Sequence, residues 1–536
     1  MMFRKMPQQK ASAIWLFLLT TLAIGIRLPQ VSESLWLDEL HSAWIVAGPW
    51  DAVVARAQIG NQSPLYFYLV KASVALFGLD EVGMRFPSLV AGAALVPLVV
   101  VVALRWTNSI VAATVAGMMV AVDHHCVFYA QEARPYALVQ LAGLVHVLLC
   151  WRLQQTPTVR LRFLFIVVTV LLFYLHYTAV LLFAGEVACY ALQRICKPGV
   201  WKYAPWQLVM DFTVAALACG PTVPHLLDIA GRRENWSAIV SMPSLARLVF
   251  MFSLQWYLLL PLGGVVVLTL LDRWGGGRLF AVVRKGPATT PHAMAPDRQC
   301  RSEQRPIRAG SPPVLLLVCW FAVPVGLAWI GTVTGVAHLF MVRYLVVTVV
   351  SPILLCAILL AACPRGRPRL VLAAVVMIAA IQSTGMIAQW RADGRLVGDR
   401  NQGWRAAVAF LSGRPDGSQW PLFLRSGLLE ADDLGANDDL LLREYCLLPI
   451  GGMYPLDAAQ WNRVPLPNTA AGKLAASHLQ MIRSAGGAWL LINGTERSRR
   501  QIQAEAIAAI SAAGMNGRVT VRRTYGEVEV LGLAVE

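Results

Sequence analysis

The sequence predicts a polytopic all-α membrane protein, with about 11 transmembrane helices, interfacial helices between them, and a small C-terminal α/β domain. Three observations predict it. Of 536 residues, 57% are hydrophobic and only 14% charged, a membrane composition. Apolar runs long enough, or nearly so, to cross about 30 Å of hydrocarbon recur as far as residue 388. From Arg391 onward the composition turns soluble.

The first run, 11–28, follows Arg4, Lys5 and Lys10 and is followed by no small-residue cleavage site, so it reads as an uncleaved span. Further runs are 87–104, 110–128, 136–151, 163–175, 178–192, 205–223, 256–271, 314–333, 344–363 and 370–388. The segment 64–78 decides the topology. It holds Lys71 at its centre, and counting it as a span inverts everything downstream. Leaving it out places 21 of the first 390 residues' 30 basic side chains in one set of loops. Lys/Arg bias marks the cytoplasmic side, so 64–78 is expected to be an amphipathic helix lying at the outer surface.

The formal charge of +16 does not indicate nucleic acid. From Arg391 on, 16 bases nearly balance 15 acids, so the excess belongs to the hydrophobic part. A nucleic-acid footprint would be a basic face on a soluble domain. Most cysteines lie in apolar runs as small hydrophobes, and no CxxC pair suggests zinc. The inner loop 272–313 is rich in Gly, Pro and Arg and reads as a linker. The chain divides into residues 1–390, the membrane part, and 391–536, an extracytoplasmic α/β domain. In the latter, 404–411, 474–482 and 502–513 have helical patterning, and 421–425, 488–492, 518–523 and 528–533 read as strands.

Two polar stretches interrupt the apolar pattern. In "SLWLDELHSAW" (34–44), Asp38 and Glu39 lie between Trp36 and Trp44, with His41 on the face of Asp38 if the segment is helical. In "DHHCVFYAQEARPY" (123–136), Asp123, His124 and His125 suggest metal ligands, although adjacent histidines point apart and no third spacing supports them. A divalent metal there is an open candidate. Glu132 and Arg134 read equally as an ion pair or as an acid beside a phosphate-binding guanidinium. Arg343, at the start of a span, reads as a snorkelling residue or as a holder of lipid phosphate, and Lys71 has the same two readings. Glu186, inside a span, is either functional or a hydrogen bond within the bundle.

At these residues the sequence resembles a known family. "WLDE" after the first span, "SPLYFYLVKASVALFG", "RFPS" at 85–88, "FYAQEARPYAL" and "VRY" at 342–344 resemble the C-type (GT-C) integral-membrane glycosyltransferases. Within that class the sequence resembles the RgtA/B/C/D-like enzymes, related to protein O-mannosyltransferases and the lipid A aminoarabinose transferase. The resemblance covers about residues 10–390. It implies a sugar carried on a polyprenyl phosphate and transferred, with inversion, to a lipid, glycan or protein acceptor at the outer face of a bacterial inner membrane. It carries catalysis onto Asp38, and makes Gln131–Tyr136 a second contributor. Glu39 and Glu132 join Asp38 as candidate catalytic acids. His41, Lys71, Gln131, Arg134, Tyr136, Arg343 and Tyr344 are the candidate substrate-binding residues. Some relatives place a basic residue before the interfacial helix; here that position reads Asn61-Gln62-Ser63, which leaves Arg134 or Arg343 to meet phosphate. The competing class is a transporter or flippase of a lipid-linked or anionic substrate, which often shows pseudo-repeated halves and broken helices; neither is visible in the sequence.

Overall fold

The computed structural model describes residues 6–196, 202–232, 240, 243–274, 313–396, 401–414, 419–434, 440–468 and 474–536. Most of the linker expected at 272–313 lies outside them.

Every predicted run falls on a helix. Among the described residues, seven helices are long and apolar enough to cross a membrane: Glu81–Thr107, Tyr136–Gln155, Tyr177–Cys196, Pro205–Gly231, Gln255–Trp274, Val314–Val333 and Val342–Ala362. Two bent pairs raise the number to nine, fewer than the eleven expected. The other two runs fall on Met6–Arg27 and on Val159–Leu175, which has 17 residues. The chain is an integral membrane protein.

One bend has a clear cause. Ile110–Val122 and His124–Ala130 meet at 54°. Asp123 between them leaves helical geometry, and its Oδ1 accepts the Cys126 N–H at 2.9 Å, capping the second helix. Helix Glu81–Thr107 crosses close by, because a Cβ on Gly92 would sit 2.3 Å from that of Ala130. The break thus presses the segment after Ala130 against the start of the chain.

The segment 64–78 forms helix Leu65–Phe77, 13 residues. At 1.5 Å per residue it is about 20 Å long, short of the roughly 30 Å hydrocarbon core. It buries Tyr66, Phe67, Val70 and Ser73 and leaves Leu69, Leu76 and Phe77 exposed. Two more short helices precede it, Leu37–Ala47 and Ala52–Ile59.

Beyond the helices lies a five-stranded sheet in the order β2-β1-β3-β5-β4, with β1 Leu422–Arg425, β2 Arg463–Pro465, β3 Gly487–Asn493, β4 Gly517–Tyr525 and β5 Val528–Val535. The two β2-side pairings are parallel and the two β5 pairings antiparallel. Four strands were legible as short apolar runs bounded by turn residues. The three-residue β2 was not, since so short a stretch carries no period. Gly526, at φ 64°, makes the turn between β4 and β5 in the left-handed region that glycine favours.

Both faces of the central strands are buried, because successive side chains point oppositely. Phe423, Leu490, Ile492, Leu531 and Leu533 pack on Ile482, Ile502, Ala506 and Ile510 of helices Ala476–Ala485 and Glu496–Ala512. Leu422, Leu424, Trp489, Leu491 and Val530 turn the other way and join the core that runs into the membrane helices. The sheet is therefore packed onto the helical part, and specific polar bonds fix it there. The Leu35 N–H donates to the Tyr454 hydroxyl at 2.8 Å, which itself donates to Glu81 Oε1 at 2.7 Å. The Leu37 N–H donates to Gln402 Oε1 at 2.9 Å, and Arg405 pairs with Glu81 at 3.0 Å.

Candidate functional site

Asp38 stands in the first turn of helix Leu37–Ala47, where the helix dipole favours a carboxylate. Its Oδ2 lies 3.2 Å from Arg343 Nη1 and 3.9 Å from Arg134 Nη2, and its side chain is 27% exposed, so it faces open space. Arg134 also donates through Nη1 to the Asp38 carbonyl at 3.3 Å. Three separated segments thus converge on one carboxylate. Burial alone would lower the Arg134 pKa, but Asp38, Tyr136 and Glu132 outweigh it and raise it, so the guanidinium stays charged.

Rings complete one wall. His176, at the turn between helices, lies 5.6 Å from the Tyr136 ring and 5.9 Å from that of Tyr344, and Tyr136 packs on Tyr129 at 4.7 Å. The Arg343 guanidinium stands 5.3 Å over Tyr344. Beside it opens a cavity of about 270 Å³ lined by Tyr129, Arg247, Met251, Phe340, Met341 and Arg343 among others. Two guanidinium groups among Met, Phe and Tyr suit an anion attached to an apolar tail.

On the sheet side, Glu430 in the short helix Leu429–Asp433 feels the charge of Asp38. Burial raises its carboxyl above the ordinary range; Arg232 opposes the shift and Asp38 adds to it. This group was invisible in the sequence, since nothing in "LLEADDLG" distinguishes a site residue from a solvated acid. His176, Arg247 and Tyr129 were missed likewise, each being one unremarkable residue in its own helix or turn. Only Tyr129 lay within a motif already singled out.

Several expected site residues are placed elsewhere. Glu39 has no exposed side chain and is gripped by Arg85, also fully buried, at 2.7 Å through Nε and 2.5 Å through Nη2. Glu39 Oε1 further accepts the Ala133 N–H at 2.8 Å, tying the two polar stretches together. Arg85 Nη1 donates to the Val31 and Glu33 carbonyls at 2.7 and 2.8 Å. Glu39 is therefore positioned as an anchor beneath the site, one residue from the carboxylate that faces it. Ser42 and Ser88 reinforce the same junction through the Ala133 and Arg134 carbonyls, at 2.8 and 2.9 Å.

Lys71 is not near Asp38. Its ammonium donates to the Val46 carbonyl at 2.8 Å and to that of Gly48, terminating helix Leu37–Ala47, and stands 5.2 Å over the Trp50 ring. A cation at a helix C-terminus satisfies carbonyls the helix cannot. Gln131 donates to the Arg27 carbonyl at 2.9 Å, inside the junction, and Glu132 is likewise buried beside it.

His41 does not orient Asp38. Its ring covers Gly60, where a Cβ would fall 1.9 Å from Cε1, and meets Tyr445 edge-on at 5.1 Å. Burial, with Arg134 adding, pushes its pKa down to about 3. The folded chain holds this ring neutral while the unfolded chain titrates near 6.5. Its stabilising contribution is complete above pH 6.5 and is lost as pH falls from there toward 3. The variant His41→Gln is expected to flatten the acid limb of thermal stability measured between pH 7 and 4. An unchanged limb would contradict the burial argument.

The metal candidates also have other partners. Asp123 uses Oδ1 as a helix cap and takes the Tyr257 hydroxyl on Oδ2 at 2.8 Å. His125 Nε2 lies 2.8 Å from the Met251 carbonyl. His124 and His125 face each other edge-on at 5.5 Å. Among the described residues no three His, Cys, Asp or Glu side chains group as metal ligands. The reason is local: Asp before a new helix is a capping residue, and that role absorbs its oxygens. Glu186, for its part, makes a bond within the bundle, to His146 Nδ1 at 2.9 Å, and His146 Nε2 meets Thr169 at 2.7 Å.

No known family model matches the sequence, and no curated protein does. Solved structures do match. ArnT from Cupriavidus metallidurans in the apo state superposes with a TM-score of 0.52 at 14% identity, over 97% of this chain and 98% of that one. The same protein bound to undecaprenyl phosphate gives 0.51 at 12% identity, over 97% and 98%. The match runs through both the helices and the sheet, so the chain has the fold of ArnT, membrane helices with a small sheet at the C-terminal end.

Proposed function

We propose that this protein is a membrane glycosyltransferase that moves a sugar from a polyprenyl-phosphate donor to an acceptor on the extracytoplasmic face, with residues 1–390 as the transferase part and 391–536 as a domain covering the site. The observation that carries it is Asp38, partly exposed and held by Arg343, which also lines the neighbouring cavity. A base and an anion-binding group are thereby one hydrogen bond apart. The bound undecaprenyl phosphate of the structural neighbour supports an isoprenoid phosphate as the donor's carrier. The Lys/Arg asymmetry of the loops supports the face.

The chemistry is a single inverting displacement. The acceptor's hydroxyl or amine attacks the anomeric carbon, and a new C–O or C–N bond forms as the bond from that carbon to the phosphate oxygen breaks. The electron pair leaves with the polyprenyl phosphate, whose oxygens meet Arg343, Arg247 and Arg134. Asp38 takes the acceptor's proton. Tyr136, Tyr344 and His176 offer rings against which a sugar packs.

Membranes containing the protein, incubated with a radiolabelled polyprenyl-phosphate sugar, should form a labelled product together with free polyprenyl phosphate. Movement of intact donor without cleavage would instead identify a flippase. In the same assay Arg343→Ala is expected to weaken apparent donor affinity about ten- to a hundredfold, the worth of a charge-assisted hydrogen bond. Unchanged donor affinity would remove Arg343 from the phosphate site.

A further inference from the structure

A second cavity lies on the C-terminal part, away from Asp38. It measures about 550 Å³ and is lined by Arg443, Gln460, Trp461, Asn462 and Arg463, together with Leu447 and two alanines. That volume lies within the range of small-molecule sites. Its lining carries two guanidinium groups and no carboxylate.

The cavity is built from ordered parts. Asp457 folds the loop beneath it, its Oδ1 accepting the Ala459 N–H and its carbonyl the Trp461 N–H, both at 2.9 Å. The Leu422 N–H donates to the Asn462 carbonyl at 2.8 Å, fixing the loop to the sheet where edge strand β2 begins. Trp461 is buried and meets Trp489 at 6.5 Å between ring centres. Arg463 Nη1 donates to the Ile450 and Leu456 carbonyls at 3.3 and 3.1 Å, which sets the plane of its guanidinium and leaves other donors of the fork for a ligand. Arg443, Gln460 and Asn462 are exposed. The result is a polar cleft of two amides and two guanidinium groups on a loop anchored by the buried Trp461.

The wall of this cavity reaches the helix that carries Asp38. Tyr445, two residues beyond Arg443, packs on His41 and Trp44 at 5.1 and 5.5 Å, and Glu444 pairs with Arg56 at 3.8 Å.

We infer that this cavity binds a saccharide bearing a phosphate or carboxylate, and that it holds a remote part of the acceptor during transfer. Amides recognise hydroxyls, and guanidinium groups bind an anion through charge-assisted, bidentate hydrogen bonds. The acceptor role rests on the transferase reading; the binding does not.

Equilibrium dialysis of the full-length protein in detergent, with labelled glucose 1-phosphate as probe, tests the binding. The expected result is saturable, salt-sensitive binding, at least tenfold tighter than that of glucose or of inorganic phosphate. Arg443→Glu should weaken it at least tenfold, Asn462→Ala should weaken it less, and Asp38→Asn should leave it unchanged. Equal binding of glucose or inorganic phosphate, or wild-type affinity in Arg443→Glu, would overturn the site. Binding that depends on Arg443 in a protein that transfers no sugar would retain the site and overturn the transferase reading; transfer without such binding would do the reverse.

Discussion

Asp38→Asn is expected to lower sugar transfer from polyprenyl-phosphate donor by about 10²- to 10⁴-fold, the usual contribution of a general base. The substitution keeps the shape of the side chain and removes its ability to take a proton. Asp38 is partly exposed and bonded to Arg343 at 3.2 Å, so the variant should still fold and enter the membrane with near wild-type thermal stability. Donor binding should persist, since Arg343 and Arg247 line the neighbouring cavity independently of the carboxylate. Turnover within a few-fold of wild type, from a stable variant, would exclude Asp38 as the base.

The second large effect lies one residue away and has the opposite signature. Glu39→Gln is expected to destabilise the protein by about 3–5 kcal/mol, because it leaves the fully buried Arg85 guanidinium without its counter-charge. The loss should appear as a lowered melting temperature or rapid proteolysis in detergent. It should be partly relieved when Arg85 is replaced as well, since an apolar pair of similar volume removes the uncompensated charge. A catalytic Glu39 would behave otherwise: the variant would melt like wild type and be inactive. Comparing the two neighbouring acids therefore separates chemistry from anchoring within "WLDE".

The helix period explains the division. Neighbouring residues on a helix stand about 100° apart, so Asp38 and Glu39 cannot face the same surroundings. Their order in the sequence does not say which one turns inward. The partner that decides it, Arg85, is 46 residues away in "RFPS", and nothing local to either stretch encodes the pairing. Lys71 is a similar case. A lysine at the centre of an apolar segment looks like a phosphate ligand or a snorkelling cation; it became a helix terminator only because Val46 and Gly48 end another helix beside it. Asp123 differs, since an Asp ahead of a new helix is a familiar cap and that role is local to the sequence.

What the sequence by itself determined is whatever depends on hydrophobic period and composition. The apolar runs located each long helix and four of the five strands, and the Lys/Arg bias of the loops argued against a span at 64–78. Those signals are local, and burial against lipid or sheet writes them directly into neighbouring residues. The tertiary structure alone decided which polar groups meet. Arg343 reaches Asp38 across 305 residues, and the cavity around Arg443 and Arg463 joins two stretches that share no pattern. A site is a set of distances between chain-distant side chains, and distances of that kind are fixed by packing, which no local period encodes.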